Sequence, residues 1–327
     1  MDITKRSLLK GIVAAPVLAG PALISGTASQ AGSHASVMSA QNPGYYRYNI
    51  GDIEVTALLD GTASLPNSYI RGYEEAAARE STAKAYRKFT PETTTIPING
   101  YVINSGGKLT LIDAGAPSTM AETAGGLTRN LEAAGFMPED IDTVLLTHFH
   151  PDHVGALLNA QGGRTFANAG LMCSEIEWNA TFDDAIRAAA PDEVKGSIDM
   201  IRSFVTPYSE GRDMFSGEKE VVSGITSIPL PGHTAGHTGY TIHSGNESLL
   251  IFGDVIHFTT LQFAYPDWGV VFDLDAGLAV ETRKHLLDRA STDGLLVAGM
   301  HIDFPGIGYV EEAGVGYRHV LAPRQLG

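Results

Sequence analysis

The chain has 327 residues and a formal net charge of −15 at pH 7. That balance argues against a nucleic-acid partner, because phosphate binding needs clustered Lys and Arg. With one cysteine, Cys173, no intrachain disulfide can form, and its apolar setting (Leu171-Met172-Cys173) reads as a small buried hydrophobe rather than a reactive thiol.

Residues 1–35 read as an export signal that is cleaved. Thr4-Lys5-Arg6-Ser7-Leu8-Leu9-Lys10 is basic, residues 11–24 are apolar and small, and Ala28, Ala31 and Ala35 offer cleavage points. The apolar run is too short to span a bilayer and carries Pro16 and Pro21, so no stable membrane anchor is expected. The pattern is similar to a twin-arginine signal with Lys5 in place of the first arginine. A periplasmic or secreted protein follows from it. Mature protein from the native host is expected to begin between about residues 28 and 36. N-terminal sequencing that finds Met1 on the active, soluble form would overturn this.

Residues 36–327 read as a single domain, long enough for a well-buried core. Residues 45–50 and 53–59 form a hairpin across Gly51-Asp52, with Ile53, Val55 and Ala57 alternating and Asp60-Gly61 as a second turn. Residues 74–89 read as a helix, rich in Ala, Glu, Arg and Lys. A second hairpin, 98–104 with 109–113, turns at Gly106-Gly107, and a helix over 118–134 stops at Gly135. Val144-Leu145-Leu146 is a buried strand, and residues 154–158 start a helix. Beyond lie a strand at 170–173, a mostly helical stretch 175–205, strands at 225–230, 239–243 and 249–252, a helix at 276–290, and a last strand at 295–298. Two runs of strands with helices outside predict an α/β fold, a four-layer αββα sandwich.

Between strand and helix stands Thr147-His148-Phe149-His150-Pro151-Asp152-His153-Val154-Gly155. His148 and His150 are two apart, so on an extended chain they point to one side, while Asp152 and His153 lie past the turn. This suits two metal ions side by side, one with a His pair and one with an Asp-His pair. Three later residues share the context, each closing an apolar strand: His233 after Ile228-Pro229-Leu230-Pro231-Gly232, Asp254 after Leu249-Leu250-Ile251-Phe252-Gly253, and His301 after Leu296-Val297-Ala298-Gly299-Met300. Side chains at strand ends are held firmly, as a metal site needs. His34, His243, His285 and His319 have no such context and are expected at the surface or in the export region.

These motifs, with Leu111-Ile112-Asp113-Ala114-Gly115 and Gly232-His233-Thr234-Ala235-Gly236-His237, resemble the two-metal hydrolases of the metallo-β-lactamase fold. The resemblance implies that His148, His150 and His233 hold one metal, that Asp152, His153 and His301 hold the other, and that Asp254 bridges both. It implies supporting roles behind the ligands for Asp113 and His237. Pro43-Gly44-Tyr45-Tyr46-Arg47, Asp60-Gly61-Thr62 and Phe304-Pro305-Gly306-Ile307-Gly308 narrow the resemblance to the methyl parathion hydrolases and their dihydrocoumarin-type and acyl-homoserine-lactone-type relatives. It implies two divalent ions per chain, zinc first with Mn, Fe or Co as alternatives, and a homodimer.

The activity so implied is hydrolysis of lactones and aryl esters by a metal-bridging hydroxide, with promiscuous organophosphate hydrolysis. The alternatives are a phosphotriesterase of the methyl parathion hydrolase type and a metal-binding protein without turnover. Asp254 and His257 are the candidate catalytic residues. His257 stands where the lactonase branch has a hydrogen-bonding tyrosine and the parathion hydrolases an apolar residue. Arg71, Trp178, Phe182, Phe258, Phe263 and Phe272 are the candidate pocket residues, an apolar wall suited to a compact ester.

Overall fold

The computed structural model describes residues 42–325, so the export reading of residues 1–35 lies outside the described residues. In chain order the first half runs β1 (Tyr45–Ile50), β2 (Ile53–Pro66), β3 (Ile70–Arg71), α1 (Glu75–Lys84), β4 (Thr93–Ser105), β5 (Lys108–Ile112), α2 (Leu127–Ala133), β6 (Thr143–Leu145), α3 (Pro151–Val154), β7 (Gly170–Ser174), α4 (Glu175–Phe182), α5 (Asp184–Ala189), α6 (Asp192–Val205) and β8 (Asp213–Phe215). The second half runs β9 (Lys219–Val222), β10 (Ile225–Pro229), β11 (Thr238–Ser244), β12 (Glu247–Ile251), α7 (Thr259–Gln262), β13 (Gly269–Val270), α8 (Ala276–Thr292), β14 (Leu296–Ala298), β15 (Gly308–Ala313) and β16 (Gly316–Leu321). One seven-stranded sheet has the order β1-β2-β4-β5-β6-β7-β8, the other β16-β15-β14-β12-β11-β10-β9, and β3 pairs with β13 as a separate ribbon.

Alternation along the strands builds the layers. Val55 and Ala57, Tyr101 and Ile103, and Ile112 point between the sheets, where they meet Ile225, Tyr240, Ile242, Leu249 and Ile251. Their neighbours Leu58, Val102 and Leu111 point outward onto Leu127, Leu131 and Val205 of the helices. On the far side Leu286, Leu287 and Ala290 of α8 cover Phe252 and Val297. Each fully buried Val, Leu or Ile contributes about 1.5–3 kcal/mol of transfer free energy. The result is the expected αββα sandwich. Among the described residues no helix is long and apolar enough to cross a membrane.

Five local expectations are corrected. Asp60-Gly61 is not a turn: β2 runs on to Pro66 through an irregularity between Leu59 and Gly61. The Asp60 carboxylate turns inward and accepts the N–H groups of Gly125, at 2.8 Å, and Leu127, at 3.1 Å. It thereby caps the next helix, so α2 begins at Leu127 rather than 118. Helix α1 ends at Lys84, just before Tyr86 takes a φ of 56°. The strand at 296–298 is followed by the β15–β16 hairpin, which carries Val310 as a lone buried apolar side chain among exposed acids and so shows little apolar pattern. His319, on that hairpin, is half-buried rather than exposed: its ring packs 5.7 Å from that of Phe263 and its Nε2 is buried.

Candidate metal centre

The candidate ligands converge at one edge of the sandwich, because each follows the end of a strand. The loop after β6 carries His148, His150, Asp152 and His153, the loop after β10 carries His233, and Asp254 and His301 follow the ends of β12 and β14. Two sets of metal-capable atoms form there: His148, His150, His233 and Asp254, and beside them Asp152, His153 and His301. Asp254 lies between the sets. Its Oδ2 is 3.6 Å from His148 Nε2, 3.4 Å from His233 Nε2 and 3.2 Å from His301 Nε2, and its Oδ1 is 3.3 Å from His153 Nε2. Ligand atoms on a tetrahedral zinc lie about 3.4 Å apart, given its bond lengths of about 2.1 Å.

Hydrogen bonds aim the imidazoles. His153 Nδ1 bonds Asp113 at 2.7 Å, His233 Nδ1 bonds Asp273 at 2.9 Å, and His301 Nδ1 bonds the Pro97 carbonyl at 2.8 Å. Thr147 Oγ1 donates to Asp113 and accepts from His148 Nδ1 at 3.0 Å. With Nδ1–H donated outward, each Nε2 lone pair faces the centre. His148 Nε2, His153 Nε2 and Asp254 Oδ1 are buried there without a hydrogen-bond partner. Buried polar atoms left unpaired are costly, and divalent cations would satisfy these three together. The donor set therefore fits a dinuclear metal site.

The electrostatics are mixed: against burial, Asp254 and Asp273 raise His233 to about 9, while Asp254, His148 and His150 shift the way ligation needs. Burial alone would raise the Asp254 carboxyl, but His153, His301, His148 and His257 around it hold it well below the usual carboxylate range. Burial and neighbouring histidines push His148 well down and His150 to about 3, so both are neutral and able to ligate near pH 7.

His237 holds no ligand position. Its Nδ1 donates to the Leu230 carbonyl at 2.8 Å, and its Nε2 accepts the Asp254 N–H at 2.9 Å. Gly253 makes this approach achievable: its φ is 59°, and a Cβ there would sit 2.5 Å from His237 Nε2.

His257 reaches the centre as well. Its Nε2 is 3.2 Å from Asp254 Oδ2, its ring stacks 5.3 Å from that of His301, and its Nδ1 has no partner. Together with Asp254 and His301 it forms a third metal-capable group. Gln262 fixes it from behind by accepting the His257 N–H at 2.7 Å.

The pocket candidates scatter. Phe258 joins His257 and His301 along a cavity of about 280 Å³ that also has Phe89, Thr95 and Thr259 in its wall. Arg71 and Phe272 lie on and beside the β3–β13 ribbon: Arg71 donates to the Val270 carbonyl, and Phe272 meets Tyr69 edge-on at 5.3 Å. The segment adjoins the centre, since Leu274 N–H bonds the His233 carbonyl at 3.0 Å. Trp178 is 7% exposed and packs in the core, stacked on Phe182 at 4.2 Å and edge-on to Phe149. Phe263 joins another core cluster, with Phe252 and Val310, and lines a second cavity together with Thr259 and Thr260. Two supporting acids escaped the sequence reading. Asp273 is 40 residues from His233, and Glu177 lies within an ordinary helix; nothing local marks either.

A family model described as the metallo-beta-lactamase superfamily matches residues 93–301, the interval from β4 to the last candidate ligand. The chain belongs to the metallo-beta-lactamase superfamily. Its fold is similar to the solved structure of hydrolase AbOPH in the beta lactamase superfamily, at 32% identity and a TM-score of 0.82, covering 88% of this chain and 100% of that one. It is also similar to AidC, a dizinc quorum-quenching lactonase solved with a product, at 25% identity and a TM-score of 0.78, covering 86% and 99%. The uncharacterized protein YobT of Bacillus subtilis is 29% identical over 160 residues, which are 48% of this chain and 61% of YobT. The match thus spans less than two thirds of that relative. This superfamily member thus carries a cluster of residues able to hold metal ions.

Proposed function

We propose that this superfamily member hydrolyses lactones and aryl esters, with phosphotriester hydrolysis as a weaker side activity. The observation that carries the reading is His257, a polar side chain beside Asp254 in the wall of the cavity that reaches the centre. The likeness to AidC, a lactonase with its product bound, supports it. The ligand assignment belongs to the same proposal: His148, His150 and His233 for one ion, Asp152, His153 and His301 for the other, and Asp254 between them. Nitrogen and carboxylate donors suit zinc. Export, read from residues 1–35, and a homodimer, implied by the resemblance, complete the proposal.

When bound, the two ions supply a water of lowered pKa and polarise the acceptor oxygen. The protein's part is orientation and proton handling. Asp254, kept ionised by its histidines, is placed to take the proton released as water adds to the carbonyl carbon. Burial pushes His257 down to about 4 against the pull of Asp254, so near pH 7 it is a neutral imidazole, and its one N–H, beside Asp254 in this structure, would be free for a substrate oxygen once the ions engage that carboxylate. The ester C–O bond then breaks, and an alkoxide or phenolate leaves.

A panel of lactones, aryl esters and phosphotriesters on metal-loaded protein tests this. One hydrogen bond strengthened in the transition state makes His257→Leu lower kcat/KM for lactones about tenfold or more. Activity on methyl parathion should be spared or raised. A wild-type preference for the phosphotriester, or a His257→Leu variant with both activities unchanged, would sink the reading and favour the phosphotriesterase alternative.

A further inference from the structure

Glu177 of α4 is 4% exposed, and no Lys or Arg is ion-paired with it among the described residues. Its carboxylate joins two loops. Oε1 accepts the Phe149 N–H at 3.1 Å, and Oε2 accepts Thr234 Oγ1–H at 2.7 Å and the Gly236 N–H at 3.1 Å. Phe149 stands between His148 and His150, Thr234 follows His233, and Gly236 precedes His237. The fit is close: a Cβ on Gly236 would sit 2.7 Å from Glu177 Cα.

The two loops leave different sheets, from β6 and from β10. Thr238 N–H to the Thr147 carbonyl, at 3.0 Å, and Tyr240 OH to the Leu146 carbonyl, at 2.6 Å, join these segments before His148 and after His237. Glu177 joins them at the level of the histidines themselves. There His150 Nδ1 and His233 Nε2 approach to 2.9 Å. His153 and His301 make no hydrogen bond to Glu177 and are braced instead by Asp113 and the Pro97 carbonyl.

We propose that Glu177 is a positioning residue for the His148, His150 and His233 set, an anionic clasp across the two loops that sets the affinity of that metal alone. The inference rests on the two-metal reading above. Like the outer groups that orient metal ligands elsewhere, the clasp should be worth about tenfold or more in affinity.

Graded chelator competition on the zinc holoenzyme, with metal counted per chain and thermal stability followed in parallel, tests it. Wild type should release its two ions in two steps. Glu177→Gln puts an amide N–H₂ against donors and should release one ion at about tenfold lower chelator, with the other unmoved. In the cobalt-substituted enzyme the visible spectrum should change for the weakened ion only. Thr234→Val, which removes one of the three bonds, should shift the same ion by less, and it carries the test if Glu177→Gln does not fold. A lowered melting temperature with both release steps unchanged, or both steps shifting together, would make Glu177 merely structural and overturn the inference. Wild-type protein that holds fewer than two ions would overturn the two-metal reading, and the inference with it.

Discussion

Asp254→Ala is expected to lower kcat/KM by about a thousandfold or more, a loss of about 4 kcal/mol in transition-state stabilisation. The same variant should retain fewer than two metal ions per chain. Asp254 is the anion between the two ligand sets: its Oδ2 is within 3.6 Å of His148, His233 and His301, and its Oδ1 is 3.3 Å from His153. Its removal leaves several buried imidazoles facing one another with no central anion. Two cations there would lose the charge that offsets their mutual repulsion. The fold should survive, because the Asp254 N–H to His237 bond is made by the backbone and persists in alanine. Metal analysis and kinetics on soluble Asp254→Ala, with circular dichroism as the folding control, provide the check. A variant with two ions and activity within tenfold of wild type would remove Asp254 from the centre.

Much of the site was legible because each ligand directly follows an apolar strand. Val144-Leu145-Leu146, Leu249-Leu250-Ile251-Phe252 and Leu296-Val297-Ala298 mark three of these strands with apolar runs, Ile225 and Ile228 mark the fourth, and the sandwich brings their ends to one edge. What was not legible depends on contacts between distant segments. Asp60-Gly61 has the composition of a turn, yet tertiary contacts with Gly125 and Leu127 keep the strand extended. The β15–β16 hairpin shows Glu311 and Glu312 to solvent and gives no apolar signal. Trp178 illustrates the limit for pockets: an aromatic residue near a motif packs a core as readily as it lines a cavity. Glu177 and Asp273 act through bonds to residues 28 and 40 positions away, beyond any local pattern.

Asp113→Asn should weaken the ion of the Asp152, His153 and His301 set by about 10–100-fold and the other by less, since Asp113 reaches His148 only through the Thr147 hydroxyl. Asp113 is fully buried and has a φ of 59°, which Asn tolerates about as well as Asp, so the backbone is not the variable. Its Oδ1 accepts the Thr147 N–H at 2.8 Å, and Oδ2 accepts Thr147 Oγ1–H and His153 Nδ1–H, each at 2.7 Å. An amide can keep the first bond through its oxygen, but its N–H₂ then faces two donors. The threonine hydroxyl can rotate. His153 can satisfy the amide only by accepting at Nδ1, which moves its proton to Nε2 and removes the lone pair that faces Asp254 and the metal. Burial opposes a charge on His153, yet Asp254, Asp113 and Asp152 together raise its pKa well above the ordinary value. Neutralising Asp113 removes one of those three attractions, so the imidazole loses basicity as a ligand as well as its orientation. The measurement is the two-step metal release of the holoenzyme, wild type against Asp113→Asn, with kcat/KM on a lactone at saturating zinc. Asp113→Ala serves as the harsher control: it leaves the Thr147 N–H buried and unpaired, at about 1–3 kcal/mol, and should lower the melting temperature as well. If Asp113→Asn releases both ions as wild type does, His153 keeps its tautomer without Asp113, and the brace has no hold on the metal.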